Sequence, residues 1–80
     1  MTRCRVEFVI EPFVEGSPGP HVRSGIDAMA ERGLDVSMGP FGSSVTGNVE
    51  ELADAIGAMV SAAAVDGARR VLVEVVMDET

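Results

Sequence analysis

Apolar and polar positions alternate along the first segment of the chain. From Arg3 to Phe13, Val6, Phe8 and Ile10 fall on one parity and Glu7, Val9, Glu11 and Phe13 on the other. This period of two in a run rich in β-branched and aromatic residues predicts a first strand. The run Gly16-Ser17-Pro18-Gly19-Pro20 breaks it, and Pro20 suits the first turn of a helix, where its missing N–H has no partner to lose. Val22, Ile26, Met29 and Ala30 then recur at helical spacing, and Gly33 can close that helix in the left-handed conformation. Gly25 weakens it by about 1 kcal/mol relative to Ala unless close packing against the sheet offsets the loss.

The period returns to two at Leu34, Val36 and Met38, which predicts a short second strand ending at Gly39-Pro40. Pro40 cannot donate to a ladder, so that end belongs at an edge or a turn. Phe41, Ser43 and Val45 alternate with Gly42, Ser44 and Thr46 as a third strand, which Gly47 and Asn48 terminate. Asn48 and Glu51 have the spacing of a reciprocal N-terminal cap. Val49, Leu52, Ala53, Ile56, Val60 and Ala63 form the apolar face of a long Ala-rich helix stopped by Gly67, and residues 69–77 close the chain as a last strand.

A βαββαβ order in one domain spanning residues 1–80 predicts an α+β, ferredoxin-like sandwich: a four-stranded antiparallel sheet with two helices on one face and the first and third strands central. Parity then assigns Glu7, Val9, Glu11 and Phe13, with Leu72, Glu74 and Val76, to the helix-free face. That face mixes apolar groups with carboxylates. An 80-residue chain buries only a small core, so a homodimer or homotetramer joined through the helix-free face is expected.

The charge balance narrows the partners. A formal net charge of −7, with six arginines scattered along the chain, argues against nucleic acid, and the lack of Trp and Tyr removes the usual base-stacking platforms. A cationic or neutral small ligand meets no electrostatic barrier. Cys4 is alone, so no internal disulfide forms, and one His and one Cys make no metal-ligand cluster. No apolar run reaches membrane-spanning length and the first residues show no secretory pattern, so the expectation is a cytoplasmic protein with no membrane partner.

Little in the chain suggests covalent chemistry. Glu7 and Glu11 share a strand face but stand about 13 Å apart, too far for one acid–base pair. Glu7 and Glu74 can be neighbours across the first and last strands, either as two solvated charges or as acceptors for a ligand donor. Ser43 and Ser44 have no base nearby in sequence, and Gly39 to Ser44 is no Walker loop, since no Gly-Lys-Ser/Thr follows. A non-enzymatic role, with no catalytic residue, metal or resident cofactor, is the reading of these residues. Two classes stay open, a small-molecule binder and an oligomeric scaffold or regulatory interaction domain.

The run 6–16 (VEFVIEPFVEG), Pro18-Gly19-Pro20-His21, Gly33-Leu34, Gly39-Pro40-Phe41-Gly42 and Gly67-Ala68 together resemble the thiamine-binding, YkoF-like family of small ferredoxin-like proteins. The resemblance spans nearly the whole chain, and the Gly-Pro-Phe-Gly-Ser hairpin is its most specific part. It implies an oligomer with sheets packed face to face that binds thiamine or its hydroxymethylpyrimidine moiety. Many members have Glu-Gly where this chain has Thr46-Gly47. Resemblance and parity together select Glu7, Glu11 and Phe13 from the first strand as candidate ligand-binding residues. From the hairpin they select Ser37, Gly39, Gly42, Ser43, Ser44 and Thr46.

Overall fold

The computed structural model describes residues 2–14 and 16–77, so Glu15 of the family-like run lies outside the described residues. The elements are β1 (Arg3–Glu11), α1 (Pro20–Ala30), β2 (Ser37–Gly39), β3 (Gly42–Asn48), α2 (Val49–Val65) and β4 (Arg70–Met77). All strand pairs are antiparallel, in the order β2-β3-β1-β4. The fold is the expected ferredoxin-like α+β sandwich, with β1 and β3 central. Val6, Phe8 and Ile10 of β1 are buried together with Cys4, Val22, Met29, Val45, Leu52 and Met59, while Glu7 on the opposite parity is exposed.

Local signals in the sequence account for the helix ends. The Asn48 side chain accepts from the Glu51 N–H at 2.9 Å and donates through Nδ2 to Glu51 Oε1 at 2.6 Å, so the cap at the start of α2 is reciprocal. After α1, Gly33 has φ +81°. Its N–H reaches the Ala30 carbonyl at 2.9 Å, and the Leu34 N–H reaches the Met29 carbonyl at 3.4 Å. Gly67 ends α2 the same way, with φ +100° and bonds from Gly67 to Ala64 and from Ala68 to Ala63. Both are Schellman closures. His21 in the first turn of α1 donates from Nε2 to the Pro12 carbonyl at 2.5 Å, tying that helix to the end of β1.

Four local expectations are corrected. The second strand is Ser37–Gly39 only. Leu34 and Val36 pack half-buried against the core from a loop, because burying an alternating side chain does not require a ladder partner. Phe41 is not a strand residue: Gly39 pairs with Gly42, leaving Pro40 and Phe41 as a two-residue turn with Phe41 84% exposed. Around α1, Ala30 is exposed and Gly25 is buried instead. A Cβ on Gly25 would lie 2.5 Å from Ile10 Cδ1 and 3.2 Å from Met59 Cγ, so the missing side chain lets α1 close onto β1 and α2. On α2 the buried face runs through Leu52, Ala55, Met59 and Ala63, whereas Ala53 and Val60 are exposed. An Ala-rich helix is apolar most of the way round, so its sequence defines a period without defining which side faces inward.

Candidate ligand-binding site

The strand registers set the helix-free face out in transverse rows. Ser37 on β2 pairs with Ser44 on β3, Ser44 with Glu7 on β1, and Glu7 with Glu74 on β4. Two hydroxyls and two carboxylates therefore lie in one line across the whole sheet, about 4.8 Å from strand to strand. The adjacent row is apolar and open. Gly39 pairs with Gly42, a Cβ on Gly42 would lie 2.9 Å from Val9 Cγ2, and Val9 pairs with Leu72. The two glycines place bare backbone where side chains would otherwise fill the space.

These two rows and the hairpin line a concavity of about 590 Å³, with Met38, Pro40 and Phe41 at its β2–β3 end. The volume lies within the range of ~300–1,000 Å³ usual for small-molecule sites. Its base is the Val9–Leu72 row, its polar wall the Ser37–Ser44–Glu7–Glu74 row, and its exposed rim the Phe41 ring. Glu7 Oε1 stands 3.6 Å from Arg5 Nε, a solvent-exposed pair whose contribution to stability is at most about 1 kcal/mol. Glu74 has no cation within ion-pair range among the described residues, although it faces Glu7 directly. Like charges directly opposite on neighbouring strands repel, so the row favours a cation or a hydrogen-bond donor between them.

Six of the nine sequence-selected residues line this concavity: Glu7, Ser37, Gly39, Gly42, Ser43 and Ser44. Ser43 borders it from the covered side, being 7% exposed and on the parity of Val45. Glu11, Phe13 and Thr46 do not line it. Glu11 lies one row beyond Val9 and is held by Arg70, Nε to Oε1 3.2 Å. Thr46 lies in the row of Arg5 and Val76, beyond the polar wall. Phe13 packs half-buried against the core cluster and not on the open face, because β1 ends at Glu11 and the parity that placed Phe13 no longer holds past Pro12.

Eight further residues line the concavity: Phe8, Val9, Met38, Pro40, Phe41, Leu72, Val73 and Glu74. Parity already placed Val9, Leu72 and Glu74 on this face, and Glu74 was recognisable as a possible neighbour of Glu7. What was missing was the register that puts Glu74 opposite Glu7 and not two residues away. Phe41 could have been found from the Gly-Pro-Phe-Gly spacing, which fits a two-residue turn as well as a strand start.

Among the described residues no group of three or more His, Cys, Asp or Glu side chains could hold a metal ion, and no helix is long and apolar enough to cross a membrane. Residues 6–80 match the family model described as thiamine-binding protein. No curated protein sequence matches the chain. Among solved structures, a Thermotoga maritima protein named for thiamine biosynthesis or salvage is 22% identical with a TM-score of 0.69, the match covering 98% of this chain and 84% of that one. A hypothetical protein from Methanocaldococcus jannascii is 22% identical with a TM-score of 0.70, over 100% and 82% of the two chains. A domain of unknown function from Bacillus cereus is 16% identical with a TM-score of 0.70, over 98% and 76%. At these identities the structures share the fold.

Proposed function

The chain belongs to the thiamine-binding protein family, and from that premise we propose that it binds thiamine or its hydroxymethylpyrimidine moiety without transforming it. The setting we propose is a cytoplasmic homodimer or homotetramer serving salvage, sequestration or sensing. The observation that carries the reading is the row Ser37–Ser44–Glu7–Glu74 beside an open apolar row. An aminopyrimidine presents an exocyclic donor and ring acceptors, which suit a carboxylate and a hydroxyl standing side by side. The thiazolium is cationic, so two facing carboxylates favour it, and the Phe41 ring at the rim can take a cation against its face. Binding without conversion is favoured by the donor set, which has acceptors and hydroxyls but neither His nor Cys among its lining groups. Val9, Leu72 and Val76 give the same face the apolar area that packing against a second sheet would bury.

A second reading, an assembly module with no thiamine affinity, is favoured by the apolar exposure of β4. Calorimetric titration with thiamine, with hydroxymethylpyrimidine and with an unrelated cation separates the two. Binding is expected to saturate with thiamine or the pyrimidine and to weaken about tenfold or more in Glu7→Gln and Glu74→Gln, the usual scale for losing a charge-assisted hydrogen bond. Binding that both substitutions leave unchanged would take the carboxylate row out of the site. No heat and no thermal shift with either ligand would leave the assembly reading.

A further inference from the structure

The strand registers allow the charges on the helix-free face to be counted row by row. From the row of Arg5 to the row of Glu11, the described strands place five charged side chains there: Arg5, Glu7, Glu11, Arg70 and Glu74. On the same face β2 and β3 contribute Ser37, Gly39, Gly42, Ser44 and Thr46, which carry no charge. Four of the five charges pair off. Arg5 Nε stands 3.6 Å from Glu7 Oε1 on one side of the concavity, and Arg70 Nε stands 3.2 Å from Glu11 Oε1 on the other. Glu74 lies between these pairs with no cation within ion-pair range among the described residues. These rows therefore carry one uncompensated negative charge, at the β4 end of the polar wall.

The lining has nothing to receive an anion. None of the described groups around the concavity is Lys, Arg or His. A bound phosphate is ordinarily met by a guanidinium fork, an ammonium group or a helix N-terminus. Here Arg5 and Arg70 are held by carboxylates, and both helices pack on the other face of the sheet. Arg3 stands one row beyond Arg5, opposite Asn48 and outside the concavity. The formal net charge of −7 adds no long-range attraction for an anion.

We infer that the concavity selects its ligand by charge, favouring an unphosphorylated alcohol with a single positive charge against Glu74 and rejecting the phosphate ester of that alcohol. The inference rests on the proposed function and narrows it to a substrate class. Thiamine has a thiazolium and a free hydroxyethyl group. Esterification of that hydroxyl by phosphate turns a monocation into a ligand of net negative charge at neutral pH. Glu74 is the specificity-determining residue, because it is the carboxylate of these rows without an internal counter-ion. Arg5 sets the count: by neutralising Glu7 it keeps the demand of the site at one positive charge instead of two. Such a binder works on the unphosphorylated side of any kinase or phosphatase reaction at that hydroxyl.

Calorimetric titration of the parent protein with thiamine and with thiamine monophosphate, at low and at physiological ionic strength, reads the selection. At low ionic strength the monophosphate is expected to bind about tenfold or more weakly than thiamine, and added salt to narrow the gap by screening. Glu74→Gln keeps the shape of an exposed side chain and removes its charge, so the gap should shrink several-fold. Glu31→Gln removes the same formal charge from the exposed end of α1 and should leave the gap unchanged. Arg5→Gln leaves Glu7 without its counter-ion and should widen it. A monophosphate that binds the parent as tightly as thiamine would overturn the selection while leaving the thiamine reading in place. A gap that Glu74→Gln and Glu31→Gln alter alike would overturn the role of Glu74. Binding of neither ligand would overturn both the selection and the reading on which it rests.

Discussion

Gly42→Ala tests whether the hairpin is held at the sheet by close backbone approach. Gly42 opens β3 with φ +157°, and a Cβ there would sit 2.9 Å from the Phe8 carbonyl oxygen and 2.9 Å from Val9 Cγ2. Val9 can rotate away in part. The carbonyl cannot, since Phe8 lies in the central strand between β3 and β4. An unfavourable backbone conformation costs ~1–3 kcal/mol and overpacking ~1–3 kcal/mol, so with some relaxation of Val9 the loss should be about 2–4 kcal/mol. A domain of this size has roughly 4–12 kcal/mol of stability in all, so the effect is large. The assay is urea denaturation of parent and variant at one fixed protein concentration, so that any self-association weighs equally on both. The midpoint should fall with little change in slope, and the thermal midpoint should drop by at least about 8 °C. Gly57→Ala is the matched control: Gly57 is exposed within α2 with nothing within 4 Å of its Cβ position, so it should gain about 0.5–1 kcal/mol. A Gly42→Ala protein within about 0.5 kcal/mol of the parent would refute the close-approach argument, since no strained contact would then remain to be relieved.

Other outcomes follow from the same structure. Phe41→Ala should leave stability within about 0.5 kcal/mol, because the ring is 84% exposed, while lowering thiamine affinity several-fold in a calorimetric titration. Equal affinity would remove the ring from the site. Asn48→Ala should cost about 1 kcal/mol in denaturant unfolding through loss of the cap on α2, and Asn48→Asp should recover most of it. An unaltered midpoint in Asn48→Ala would show that the helix end is held by packing instead.

Much of the lining of the candidate site was readable from the chain, and the gaps have identifiable causes. Parity on β1 correctly separated Val6, Phe8 and Ile10 from Glu7 and Val9, because a period of two is imposed by the strand backbone itself. The same rule failed at Phe13, one step after Pro12 ended the ladder, since parity has meaning only while pairing continues. Glu11 was on the right face but one row too far along, and in the fold it is held by Arg70. Phe41 was assigned to a strand because alternation alone does not distinguish a strand start from a two-residue turn.

What the amino-acid order determined unaided was the series of elements and their ends. Those signals act within a few residues: glycines at positive φ after α1 and α2, the Asn48–Glu51 cap, and Pro20 in the first helical turn. Their energies come from local hydrogen bonds and backbone sterics, which involve only residues close in sequence and so need no tertiary partner. The tertiary structure decided which side of the Ala-rich helix α2 faces inward, that Gly25 marks a close approach of α1 to Ile10 and Met59, and that Glu74 falls opposite Glu7. Each of these depends on groups far apart in sequence meeting at one register. A shift of two residues in β4 would preserve every local preference and both sheet faces, yet separate the two carboxylates. Packing of the whole core selects among such registers, which is why the polar row becomes visible only in the assembled sheet.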